Sequence, residues 1–425
     1  MRKKNWFLVS ALGLSLFALL QASSHSSNEM KTHMKMIFSP LFSKPNTLNT
    51  PTSDKHVHAT SASVIETVKA TTKAVFLTTL TPGHTASAKL PLQQNNQQIA
   101  TPSLKQISSS KDKNQEPPTK FASSTPTIFE ISLHMSAQQV ETILGKPDRQ
   151  DPSLFGYDWW IYNKHPDHYI QVGVLKGKVV DVFSNSPKAA LTNQIRIGTS
   201  YDMLKRSFSL QEGVTFSYED TFVEIKNVRE ERPLQLVGDI PVLFYLDKHN
   251  QQKVTGIRII DKLTLLQGGF YETKWTYTGE APNFTPPIPN KISQEEIDRA
   301  MEKQILDLTN VIRYRYQVPA LRWNEKAAFT ARSHSIDMQR NQYFDHISAT
   351  TGLSPFDRLK KNGLTYQIAG ENISAGFPDA IEAYQSWLNS LGHRKNVLEK
   401  QFEELGVGVS ADYFTENFVK LSSNK

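Results

Sequence analysis

The residues best suited to chemistry lie between His334 and Leu398. They are His334, then His346 in Tyr343-Phe344-Asp345-His346, then Glu371 and Asn372 in Gly370-Glu371-Asn372-Ile373, then His393 in Gly392-His393-Arg394. Imidazoles and carboxylates move protons near neutral pH and bind divalent metals. The gaps of 25 residues from His346 to Glu371 and 22 from Glu371 to His393 match no compact metal motif. Spacing alone therefore does not bring these three side chains together. Nor is a nucleophile evident, because the chain has no cysteine and no Gly-x-Ser-x-Gly turn.

The surrounding elements must position these groups. Ser293 with Glu296 makes a capping box. The helix it opens carries Ile297, Met301, Ile305, Leu308 and Ile312 on one face, and Pro319 ends it. A second helix is expected over 325–341, with His346 just beyond it. A third is expected over 378–391, with Ala380, Tyr384, Trp387 and Leu391 on one side, Gly392 as its stop and His393 following. Glu371 opens an apolar, strand-like run, and 406–421 should supply further strands. His334 falls on the second helix, where packing or solvent exposure is the expected role.

Further blocks run through this region. They include Leu308-Thr-Asn310-Val-Ile-Arg313, Pro319-Ala-Leu321-Arg-Trp323-Asn324 and Gly352-x-Ser354-Pro355-x-Asp357-Arg358-Leu359. Gly406-Val-Gly408 and Tyr413-Phe-Thr-Glu-Asn417-Phe418 close the set. With Phe344-Asp-His346, Gly370-Glu371-Asn372 and Gly392-His393-Arg394, these resemble the CAP superfamily of cysteine-rich secretory, antigen 5 and pathogenesis-related 1 proteins. The likeness is to its bacterial, cysteine-free branch. It implies an α-β-α sandwich over 292–425, with His346, Glu371 and His393 lining one cleft and Asn372 fixing a loop. Two imidazoles and a carboxylate in one cleft could hold Zn²⁺ with an open fourth position. They could equally form a hydrogen-bonded network that pins loops. The family's cleft usually carries a second acid just after the helix tryptophan. Here that place falls near Asn389 and Ser390, and Glu382 lies one to two turns earlier.

Upstream, from Thr127 to about Ile260, a unit of about 65 residues repeats. Each copy opens with a serine-capped helix, at Ser136 and Ser200, and continues as an antiparallel meander. The expected architecture is α+β, with a domain of two similar helix-plus-meander halves over 127–275 and a proline-rich linker over 276–291. This region resembles the CAP-associated domain of some Gram-positive secreted proteins. Trp159, Trp160, Tyr162 and Tyr169 read as strand core rather than a binding surface. His165 and His168 read as solvated.

The chain of 425 residues carries a formal charge of +7. Arg2, Lys3 and Lys4 contribute +3, the segment 23–126 contributes +6, and the remainder sums to −2. This near-neutral balance argues against a nucleic-acid-binding fold, which should carry a basic face. The three basic residues precede an apolar run from Trp6 to Leu20, which reads as an export signal or an uncleaved anchor over 1–22. Membrane contact is expected only there. Segment 23–126, rich in Ser, Thr, Gln, Asn, Lys and Pro, reads as a disordered linker, with a short helix possible over 64–80. The sum is a secreted or surface-anchored, non-enzymatic envelope protein that binds a lipid, a wall polymer or a protein partner. The alternative is an extracellular metal-dependent hydrolase, with Zn²⁺ possible and no cofactor required.

Overall fold

The computed structural model describes residues 7–9, 125–191, 195–278, 280–287 and 292–422. The expectations for segments 1–22 and 23–126 fall almost entirely outside these residues. Three N-terminal residues, Phe7–Val9 (β1), form an edge strand. Among the described residues no helix is long and apolar enough to cross a membrane.

The N-terminal domain is mainly sheet. Ser136 opens Ala137–Leu144 (α1) with a reciprocal capping box to Gln139. Arg149–Pro152 (β2), Asp158–Tyr162 (β3), Ile170–Leu175 (β4) and Lys178–Ser184 (β5) then form a meander. Ser200 caps Tyr201–Ser207 (α2). Gly213–Tyr218 (β6), Thr221–Lys226 (β7), Leu234–Val237 (β8), Ile240–Asp247 (β9) and Lys253–Ile260 (β10) follow. Lys262–Gln267 (α3) and Thr273–Tyr277 (β11) end the domain. Seven strands form one antiparallel sheet in the order β2-β3-β4-β5-β10-β9-β8, joined at its centre through Ile257↔Ser184 and Ile260↔Asp181.

The two halves are less alike than the sequence suggests. Strands β6 and β7 leave the main sheet and form a separate four-stranded sheet in the order β1-β11-β7-β6. Their burial alternates, so they form a one-sided hairpin. By contrast, β4, β5, β9 and β10 are buried on both faces. A strand with a polar face has no place in a sheet covered on both sides. One face of that sheet is closed by Val140 of α1 and by Leu204 and Phe208 around α2. Trp159 and Tyr169 are core, as expected.

The C-terminal domain begins with the Ser293–Glu296 capping box and Gln294–Arg315 (α4). Arg322–Trp323 (β12), Glu325–Asn341 (α5), Pro355–Lys361 (α6) and Tyr366–Ala375 (β13) follow. Ala380–Leu388 (α7), Leu391–Leu398 (α8), Glu404–Ser410 (β14) and Tyr413–Leu421 (β15) complete it. The sheet order is β12-β14-β15-β13, with β12 parallel to β14 and the other pairs antiparallel. Helix α5 lies flush on β14 because two positions there lack side chains. A Cβ on Gly406 would sit 2.0 Å from the Ala328 nitrogen, and one on Gly408 would sit 1.9 Å from that of Arg332. Helices α4 and α7 cover the other face with Ile305, Leu308, Ala383 and Trp387 against Leu405, Val407 and Phe418. The result is an α-β-α sandwich.

Two local expectations are corrected. The third helix is two helices, because α7 ends at Leu388 and Ser390 starts α8. Gly392 is therefore not a stop but lies in the first turn of α8, and His393 is helical. Glu371 sits in the middle of β13 rather than opening a run.

The two domains share one core. Phe155, Tyr157, Trp159, Phe183 and Tyr245 cluster with Ile297, Met301, Ile305 and Trp387. Polar bonds cross this contact as well: Asp307 of α4 accepts from Arg149 and from Asn163, both at 2.8 Å. Arg258 of β10, fully buried, joins Asp181 at 2.6 Å to Asp379 at 2.8 Å, and Asp379 caps α7.

Candidate functional site

Glu371 is the centre of the site. Its position on β13 points its carboxylate away from solvent, and the side chain is only 1% exposed. A buried carboxylate must be paired to persist. His346 supplies one partner from the loop after α5: its Nδ1–H donates to Glu371 Oε1 at 2.9 Å. Arg358 of α6 supplies the second, with Nη2 at 2.6 Å from Oε2. Asn417 of β15, opposite Glu371 in the ladder, adds a third. With its amide turned to satisfy both neighbours, it donates to Glu371 Oε2 at 3.1 Å and accepts from the Ala331 N–H at 3.2 Å. Burial pushes the Glu371 carboxyl up, but the His346 bond and the Arg358 charge more than offset it, so it titrates below the ordinary range.

His393 enters from α8. Burial, then the nearby His346 imidazole, push its pKa down to about 4, so the ring is neutral. The two imidazoles thus lie near enough for the charge of one to disfavour that of the other. The Glu371 bond commits His346 Nδ1 as a donor and leaves Nε2 as an acceptor. Asn372 holds the frame between strand and helix. Its Nδ2 donates to the His393 carbonyl at 3.2 Å and to Glu416 Oε2 at 2.9 Å, and its Oδ1 accepts from Asn396 at 2.9 Å. Gly370 makes room for this corner, since a Cβ there would meet Asn396 Oδ1 at 3.0 Å and Phe402 at 2.9 Å.

The fold therefore brings His346, Glu371, His393 and Asn372 to one place, which spacing could not show. His334 is left out as a ligand. It is buried in α5, and its Nε2–H donates to the Asp345 carbonyl at 2.9 Å, holding the start of the His346 loop. Arg358 and Asn417 were missed as site residues, although both stand in the quoted blocks. The signal was there: a buried carboxylate at Glu371 demands a cationic partner.

A zinc site fits this arrangement poorly. Both Glu371 oxygens already face donors, one of them a guanidinium that repels a cation. Among the described residues no group of three His, Cys, Asp or Glu side chains is placed to hold a metal ion. Glu382, the acid one to two turns before the place of the missing ligand, and Asn389, which occupies that place, both face elsewhere. Glu382 receives the Tyr245 hydroxyl at 2.6 Å and pairs with Arg232, both in the N-terminal domain. Asn389, at the place of the family's second acid, donates from Nδ2 to the Leu246 carbonyl at 2.9 Å and accepts the Lys248 N–H at 3.0 Å.

The sandwich, with the sheet domain ahead of it, defines a CAP-domain protein, and the chain belongs to that family. Residues 306–420 match the model of the cysteine-rich secretory protein family, and residues 133–271 match the CAP-associated N-terminal model. The chain is similar to the uncharacterized membrane protein YlbC of Bacillus subtilis (strain 168), 39% identical over 287 residues, covering 67% of this chain and 81% of YlbC. It is also similar to the uncharacterized protein YkwD of the same organism, 31% identical over 227 residues, covering 50% of this chain and 82% of YkwD. Among solved structures, an extracellular SCP-domain protein of Bacillus anthracis str. Ames superposes with a TM-score of 0.63 at 33% identity, covering 73% of this chain and 99% of that one. A cysteine-rich secretory protein of Staphylococcus aureus, SAV1118, shares the fold at 20% identity with a TM-score of 0.57, covering 68% and 93%.

Proposed function

We propose that this chain is an exported or surface-held envelope protein whose cleft binds a ligand without turning it over. The carrying observation is the state of Glu371, held between His346 and Arg358. A carboxylate so engaged orients an imidazole and stabilises the fold. What the cleft offers a ligand is His346 Nε2 and the neutral His393 ring. Phe344 and Ile347 beside His346, and Leu391 beside His393, are exposed apolar side chains. They favour an occupant with both hydrogen-bond donors and apolar surface, such as a lipid, over a purely polar wall polymer. Export is supported by the basic start and apolar run of the N-terminus. It is supported also by the names of the relatives, one called a membrane protein and one extracellular.

The second reading, a metal-dependent hydrolase, requires Glu371 to exchange Arg358 for a metal. A Zn²⁺ titration of the full chain, followed by thermal stability, separates the two. A binder shows no saturable rise, in the wild type or in the His346→Ala/His393→Ala double variant. A saturable rise confined to the wild type overturns the proposal, since a ligand stabilises in proportion to its affinity for the folded state.

A further inference from the structure

The corner that carries His393 is held from outside its own domain. Helix α8 begins at Ser390 without a side-chain cap; locally, Arg394 Nη1 donates to the Leu388 carbonyl at 3.2 Å. The end of β9 and the turn after it supply further anchors from the N-terminal domain. Asn389, the residue before that start, is gripped three ways: by the Leu246 carbonyl at 2.9 Å, the Lys248 N–H at 3.0 Å and the His249 Nε2–H at 2.9 Å, which donates to the Asn389 carbonyl. Beyond His393, Arg394 forms a two-pronged pair with Asp247, both contacts at 3.0 Å. Tyr316 at the end of α4 closes this pair, its hydroxyl 2.7 Å from Arg394 Nη2 and 3.0 Å from Asp247 Oδ2. Asp247 is buried. Two parallel bonds between a guanidinium and a carboxylate fix orientation as well as distance.

His393 thus stands between two residues clamped by the same segment 246–249, while from the sheet side Asn372 bonds its carbonyl and Asn396 ties α8 to Glu371 and Asn372. We infer that Asp247 and its turn are positioning residues for the cleft: the N-terminal domain sets the placement of His393 through Asn389 and Arg394. The inference also gives Asn389 a purpose in place of the family's usual acid. A carboxylate at this position could not donate to the Leu246 carbonyl, so an amide that both donates and accepts serves the domain contact. Occupancy of the cleft would then be coupled to the domain interface. That consequence rests on the cleft being the ligand site, but the test needs no ligand and so decides the positioning separately.

The test uses the full chain and three single variants: Asp247→Asn, His249→Ala and, as a control elsewhere on the same interface, Asp307→Asn. Two local readings are taken at one pH: amide hydrogen exchange of residues 391–398 and the His393 ring resonance. Asp247→Asn should speed exchange in that segment and move the His393 resonance, and His249→Ala should do the same to a smaller degree. Asp307→Asn should leave both unchanged. Should Asp247→Asn fail to fold, His249, on the exposed rim, decides alone. The inference is overturned by an unchanged segment and resonance in the folded variants of the turn. It is also overturned by an equal change in Asp307→Asn, which would mark general loosening of the interface rather than control of this corner.

Discussion

Asn372 Nδ2 lies 2.9 Å from Glu416 Oε2, a bond that joins two neighbouring strands beneath the cleft. Thr309 Oγ1 of α4 donates to the other oxygen at 3.3 Å. Burial dominates at Glu416 and the two hydrogen bonds oppose it, so the carboxyl is pushed up to about 8. The folded chain then holds this proton more tightly than the unfolded chain does. Its contribution to stability is fully present below the ordinary value of 4.5 and is lost as pH rises toward 8. Urea unfolding should show wild-type stability falling across that window relative to Glu416→Gln, by up to about 1.4 kcal/mol per pH unit. Parallel curves for the two proteins would show that Glu416 is ionised in the fold.

His393 has the opposite sign. Its folded pKa, about 4, is below the ordinary 6.5, so its contribution is present above 6.5 and lost as pH falls through 4. Histidine Cε1–H resonances followed from pH 7 to 4 should leave His393 neutral at pH 5, where an exposed histidine is charged. A His393 midpoint near 6.5 would place the ring in open solvent.

Glu371 and Arg358 should be unequal to lose singly and together. Arg358→Met leaves a buried carboxylate with only His346 and Asn417, and is expected to cost about 3 kcal/mol. Adding Glu371→Gln removes the stranded charge and should restore part of that loss. If the two losses simply add in denaturant unfolding, the residues do not act as a pair.

Gly392 and Gly408 should respond to alanine in opposite directions. Nothing lies within 4 Å of a Cβ on Gly392, and α8 is helical there. Gly392→Ala should stabilise the fold by about 0.5 kcal/mol. Destabilisation would restore the reading of Gly392 as a helix stop. Gly408→Ala must push α5 off β14 and should cost about 3 kcal/mol. Thermal melts of the two variants check both.

Local features of the fold were legible in the sequence because their physics is local. The capping boxes at Ser136 and Ser293 link residues three apart, and the apolar stripe of α4 repeats with the helical turn, so chain order displays them directly. The glycine, histidine and glutamate blocks pointed to the family, and through it to a common cleft. The sequence by itself determined the class of fold and the capped helices.

Contacts that span the chain were decided only by the tertiary structure. Arg358 satisfies Glu371 from 13 residues away, and Asn417 from the neighbouring strand. The hairpin of β6 and β7 leaves the main sheet because that sheet is covered on both faces, one of them by another domain. Glu382 and Asn389 turn from the cleft to Tyr245 and Leu246, at sequence separations of 137 and 143 residues. Such partners share no periodicity. They meet because buried polar groups must be satisfied by whatever the packed fold brings within reach.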